Sequence, residues 1–156
     1  MLKILSYIIV LIFLNLSTFA QSRQLKDFNE YLEALTSGMN LKIVIHYEKC
    51  RLIVDSVEVP SPKVIGGMNI KAFEYFAKGS VNNDKAFIST SESILIFHPR
   101  YGYVFNYVKL RIFENNSIEI LVTYLDPKTY EVTMEETFYS ELSDQVDSNA
   151  VNIFSD

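Results

Sequence analysis

Residues 86–125 read AFISTSESILIFHPRYGYVFNYVKLRIFENNSIEILVTYL, and this stretch decides the fold. Three long strand-like runs, Ala86 to Phe97, Tyr103 to Phe113 and Ile118 to Leu125, are rich in β-branched and aromatic residues. Only His98-Pro99-Arg100-Tyr101-Gly102 and Glu114-Asn115-Asn116-Ser117 separate them. Connections this short join antiparallel neighbours, because parallel pairing needs a crossover of about a dozen residues.

Working outward, Asp126-Pro127-Lys128-Thr129 reads as a β-turn with proline preset at its second position, and a strand follows from Tyr130 to Tyr139. On the other side, Lys78 to Lys85 is a turn, and Met68 to Ala77 a strand behind the punctuation of Gly66-Gly67. Pro60 and Pro62 end pairing after Arg51–Val54 and Val57–Val59, a hairpin closed by Asp55-Ser56. Leu41, Ile43, Ile45 and Tyr47 alternate with Lys42, Val44, His46 and Glu48 at a period of two.

Ser22 to Ser37 reads as the one helix. Leu25, Phe28, Leu32 and Leu35 recur at spacings of three and four, and Gly38 stands where a left-handed cap stops the helix. The expected fold class is α+β, mainly antiparallel β. The N-terminal helix packs on or caps a curled meander of seven to eight strands, closed as a barrel or left as a half-barrel.

Met1 to Ala20 carries one basic residue, Lys3, then the apolar run Ile8 to Leu14, then small residues at Ser17-Thr18-Phe19-Ala20. That order is a secretory leader cut after Ala20. Asn15 interrupts the run short of the roughly 20 apolar residues a spanning helix needs. No Cys follows the cut, which disfavours lipid attachment. The expected organisation is a signal peptide over 1–20, one helix-plus-meander domain over 21–140, and an acidic tail over 141–156. Val151, Ile153 and Phe154 can add a short last strand to that tail. Localisation is secreted or periplasmic, with no membrane contact after cleavage.

Fourteen Lys and Arg face nineteen Asp and Glu in the 156 residues, a net charge of −5. The leader removes Lys3 alone, so the mature chain is more acidic still. A domain of this charge without a basic stripe does not suit nucleic acid. Eleven Phe, ten Tyr and no Trp describe an aromatic, strand-forming globule long enough to bury a core without staples.

Three blocks carry a family resemblance. The first is Leu35-Thr36-Ser37-Gly38 running into Val44-Ile45-His46-Tyr47-Glu48-Lys49-Cys50. The second is Ile65-Gly66-Gly67-Met68-Asn69-Ile70 followed by Ala86-Phe87. The third is Gly102-Tyr103-Val104-Phe105-Asn106-Tyr107-Val108 with Tyr124-Leu125-Asp126-Pro127. In order and spacing these resemble the VirK family of exported bacterial proteins. The resemblance implies export and a link to virulence or host association. It implies no activity, cofactor or catalytic residue, and it places Cys50 on the family's cysteine.

The chemistry-bearing residues are sparse. Cys50 is the single cysteine, so no internal disulfide forms; it is a buried spectator or a candidate thiol. His46 and Cys50 lie four apart, about 13 Å in an extended strand, too far for a local dyad unless a turn at Glu48-Lys49 shortens the distance. His98 reaches Cys50 only through the fold. The chain has no HxxxH or CxxC spacing and no calcium-type loop, so no metal or other cofactor is expected. Gly66-Gly67 lacks the GxGxxG context for phosphate and reads as a bulge or turn. Glu131 and Glu135-Glu136 read as a solvated strand face.

Two candidates for recognition remain. The loop with His98, Arg100 and Tyr101, stiffened by Pro99, presents an imidazole, a guanidinium and a phenol. Phe73, Tyr75, Phe87, Phe105 and Tyr107 are candidate lining for a pocket that takes an apolar or aromatic ligand. The expected function is a non-enzymatic binding module. The alternatives are a secreted effector that meets a protein partner through its surface, and a Cys-dependent hydrolase. A ligand-holding fold requires a cavity of several hundred Å³, whereas an interaction module requires a filled interior and an external apolar patch.

Overall fold

The computed structural model describes residues 22–54, 56–144 and 149–156. The leader reading of Met1 to Ala20, and Asp55 of the expected hairpin turn, lie outside the described residues. In chain order the elements are β1 (Arg23–Leu25), α1 (Phe28–Thr36), β2 (Leu41–His46), a 3-10 turn (Tyr47–Lys49), β3 (Arg51–Val54), β4 (Val57–Val59) and β5 (Ile65–Ile70). Then come β6 (Glu74–Phe76), β7 (Phe87–His98), β8 (Gly102–Phe113), β9 (Ser117–Leu125), β10 (Val132–Glu141) and β11 (Val151–Ser155).

The fold is mainly antiparallel β with one short helix, as the period-two runs and short turns require. The described strands form two sheets, which are not closed into a barrel. A seven-stranded sheet has the order β4-β3-β10-β9-β8-β7-β6, and a four-stranded sheet the order β1-β11-β2-β5. The meander holds for β6 through β10, which follow one another in chain order.

The single curled sheet fails at two places. The run expected from Met68 to Ala77 is two strands: β5 pairs β2 in the small sheet, whereas β6 pairs β7 in the large one. Between them the Thr90 hydroxyl donates to the Ala72 carbonyl at 2.7 Å, and Lys71 Nζ pairs Glu92 Oε1 at 2.8 Å. These bonds fix the crossing. The expected short last strand does form, but as an interior strand, with β11 lying between β1 and β2. Its Val151 and Ile153 are fully buried.

The helix begins at Phe28, later than the apolar spacing indicates. Arg23–Leu25 gives its backbone to β11, in register with Ser155–Ile153. Asp27 is extended, and its Oδ1 accepts from the Glu30 N–H at 2.9 Å; the Glu30 carboxylate accepts in return from the Lys26 N–H at 3.0 Å. This reciprocal cap fixes the helix start. Gly38, with φ +77°, ends it: the Met39 N–H reaches the Ala34 carbonyl and the Gly38 N–H the Leu35 carbonyl, a Schellman closure. The buried stripe is Phe28, Tyr31, Ala34 and Leu35, with Leu32 turned partly outward. The Phe28 N–H donates to Asn116 Oδ1 at 2.8 Å, so the β8–β9 turn is tied to the helix start.

One apolar core joins the helix to the inner faces of both sheets. Strand parity sets which residues enter it. Leu110 and Phe138 both stand opposite Ile120 in register, and Ile88 stands opposite Ile112. Each such aliphatic side chain removed from water contributes about 1.5–3 kcal/mol.

Candidate functional site

The core is solid around Ile88, Leu110 and Ile112, and opens toward the other end of the large sheet, where Ile94 is half exposed. There the two sheets part into a half-open cleft of about 720 Å³. One wall is the small sheet, with Ile45, Gly66, Gly67 and Met68, extended by Pro60, Pro62 and Val64. The other is the inner face of the large sheet, with Ile94, Ile96, Val108, Val122, Met134 and Phe138.

Aromatic groups close one end. His98 stacks on Tyr101 at 4.9 Å between ring centroids, and Tyr124 stands 5.2 Å from His98 and 5.8 Å from Tyr101. His98 Nδ1 accepts from the backbone N–H groups of Arg100 and Tyr101 at 3.2 and 3.3 Å. This places the proton of the neutral imidazole on Nε2. Gly102, with φ +73°, lets the chain return into β8. Tyr47 meets Phe138 edge to face at 4.9 Å.

The polar content of the cleft is small and unbalanced. Asn106 Oδ1 is buried and has no hydrogen-bond partner. Glu136 forms no ion pair among the described residues, whereas Glu92 is held by Lys71. Burial raises the Tyr124 phenol pKa, and the Glu136 carboxylate and Tyr101 raise it further. Burial also pushes Tyr47 up to about 12, with Cys50 and Tyr124 adding to the shift. Negative charge is therefore disfavoured in this part of the cleft unless a donor or cation arrives.

The structure brings the loop residues His98, Arg100 and Tyr101 to the cleft together. Cys50 does not line it. The thiol is buried, donates to the His46 carbonyl at 3.7 Å, and has its pKa raised by burial against a hydrogen bond from Ser140. The five aromatics expected to line a pocket, Phe73, Tyr75, Phe87, Phe105 and Tyr107, stand outside this cleft. For β8 the reason is parity: Phe105 and Tyr107 pair with Leu95 and Ser93, on the face opposite Asn106 and Val108. Phe105 stacks on Tyr130 there, and Phe87 lies between Phe76 and Phe113. Phe73 and Tyr75 are exposed.

Sequence reasoning missed Asn106 and Glu136. The signal was present: each is a polar residue at an inward position of an otherwise apolar strand face. Glu136 sits between Met134 and Phe138, so it does not belong with Glu135, whose carboxylate accepts from Thr123. Gly66-Gly67 is likewise neither bulge nor turn but the middle of β5. A Cβ at Gly66 would meet Tyr47 Cε2 at 2.9 Å, and one at Gly67 the Ile43 carbonyl at 3.0 Å.

Two facing antiparallel sheets with a cleft between them define a β-rich architecture, and among the described residues no group of side chains is placed to ligate a metal. The chain belongs to the VirK family: the VirK protein family model matches residues 24–130. A similar solved structure is the VirK family protein lpg1832 from Legionella pneumophila, with a TM-score of 0.63 at 17% identity. The alignment covers 83% of this chain and 97% of that one. At that identity the likeness is one of fold. No curated protein matches the chain.

Proposed function

We propose that this chain is an exported, non-enzymatic binding protein that holds its ligand in the cleft between the two sheets. The observation that carries the reading is the buried, unpartnered Oδ1 of Asn106 in a mainly apolar wall that it shares with Glu92 and Glu136. Such an atom costs about 1–3 kcal/mol when nothing pairs with it. A ligand with an apolar or aromatic body and a hydrogen-bond donor at one end removes that cost and covers Ile94. The cleft volume suits a ligand of this kind.

The buried thiol of Cys50, with its pKa raised, supports binding over Cys-dependent hydrolysis. Export to the periplasm or beyond is supported by the basic, apolar and small order of Met1 to Ala20. A role in host association rests on the family resemblance.

A second reading is favoured by the outer face of the large sheet. Phe97 and Tyr103 are 68% and 65% exposed and pack edge to face, beside the exposed Leu95. A patch of this kind supports an effector that meets a protein partner there. Native mass spectrometry of protein purified from its own secretor separates the two. Cleft binding predicts a co-purifying non-covalent mass on a chain that starts at Gln21. A bare chain, or a co-purifying mass that is lost only on changing Phe97 or Tyr103, contradicts it.

A further inference from the structure

Hydrogen bonding fixes which side of β5 is free. The Tyr47 N–H donates to the Val64 carbonyl at 3.0 Å, in the same register that pairs Ile45 with Gly66 and Ile43 with Met68. The His46 N–H, by contrast, donates to the Ala150 carbonyl at 2.8 Å across the sheet. Bonded and non-bonded pairs alternate along an antiparallel ladder. Gly66, Met68 and Ile70 therefore bond to β2, while the N–H and C=O groups of Ile65, Gly67 and Asn69 point away from it. Among the described residues these outward groups have no partner.

This edge is unlike the others. The remaining edge strands, β1, β4 and β6, are three residues each, and Pro60 follows β4 directly. Short strands and proline are how folded proteins blunt an edge. β5 is six residues long and contains no proline or charge, and the Gly66-Gly67 pair leaves its centre bare of side chains. Ile65 and Gly67 border the same cleft as Ile94, Ile96 and His98 of β7. The free edge and the binding cleft are one place.

We infer that β5 receives an extended peptide segment of a partner protein, which adds as a fifth strand to the small sheet. This rests on the cleft being the binding site and names its occupant. Strand addition supplies main-chain hydrogen bonds from Ile65, Gly67 and Asn69, with alternate side chains entering the cleft. At about 3.3 Å per residue the edge pairs with a segment about 20 Å long. The entering side chains are apolar, to cover Ile94 and Ile96, and one is basic, because Glu136 is the cleft carboxylate without an ion pair among the described residues.

The test uses the secreted protein as it exists and a displayed library of random ten-residue peptides. Enriched peptides should alternate apolar residues and carry Lys or Arg at one inward position. Bound peptide should slow amide exchange at Ile65, Gly67 and Asn69 about tenfold or more, leaving Gly66, Met68 and Ile70, already slow, unchanged. Ile65→Pro, which deletes one outward N–H at a strand start, should weaken binding about tenfold, a loss of about 1.4 kcal/mol. Ile65→Ala, which keeps the N–H, should change it by less than about threefold. The exchange pattern of the unaltered chain carries the test if Ile65→Pro fails to fold.

Enriched peptides that leave the three amides unprotected overturn strand addition but leave the cleft as a binding site. So does an empty selection from a protein that nonetheless retains a small molecule. An empty selection from a protein that retains nothing overturns both.

Discussion

The ring of Tyr47 lies so close to the backbone of Gly66 that a Cβ there would stand 2.9 Å from Tyr47 Cε2. Tyr47 cannot swing away freely, because Phe138 holds its other side. Gly66→Ala should therefore cost about 1–3 kcal/mol of overpacking, offset by about 0.5 kcal/mol from the stiffer unfolded chain. Urea denaturation reads this directly. An unchanged midpoint would mean that the ring moves at no cost.

Asn106→Leu removes an unpaired buried carbonyl and replaces it with an apolar group of similar size. The folded protein should gain about 1 kcal/mol in urea denaturation while losing its ligand. A loss of both stability and ligand would show that Asn106 is structural.

Asp27→Ala deletes the side chain that accepts from the Glu30 N–H at 2.9 Å. Stability should fall by about 1 kcal/mol. Because α1 contributes Phe28 and Tyr31 to the shared core, the transition should remain a single step by both circular dichroism and tyrosine fluorescence.

Alkaline pH should destabilise the protein. Burial pushes Tyr47 up to about 12 from an ordinary 10.0, and raises Cys50 above its ordinary 9.0. A proton held more tightly by the folded chain gives stability that is complete below the unfolded pKa and is lost as pH rises toward the folded one. The urea midpoint should thus fall between about pH 9 and 12. Tyr47→Phe should lessen the fall above pH 10 without abolishing it, because burial raises the phenols of Tyr31 and Tyr124 as well. A midpoint that rises with pH across this window would contradict the sign.

Cys50 should react slowly with a thiol reagent at pH 7 in the folded state and fully in urea, since it is buried and held as the thiol. Rapid labelling of the folded chain would remove the argument against thiol chemistry.

Local order was legible where short-range physics decides it. The turns around Pro99, Asn116 and Pro127, and the strand-like runs they bound, become β7 to β10 nearly as read. Gly38 likewise ends the helix as read, by its left-handed backbone. What escaped depends on distant partners. Arg23–Leu25 has helical spacing but pairs with β11, more than 120 residues away. Nothing near Gly66-Gly67 announces that Tyr47 must lie across it. For the site, the loop of His98, Arg100 and Tyr101 was visible as exposed chemistry. The aromatics of β8 are conspicuous by abundance, but their parity with Asn106 puts them on the opposite face.

Entry of a partner between the sheets is tested most directly by titrating 15N-labelled protein with a peptide selected on it and following the amide resonances. Shifts are predicted at Ile65, Gly67, Ile94, Asn106, Tyr124 and Glu136, with Phe97, Tyr103 and Tyr107 unmoved. Shifts confined to Phe97, Tyr103 and Tyr107 would place recognition on the outer face and contradict the cleft.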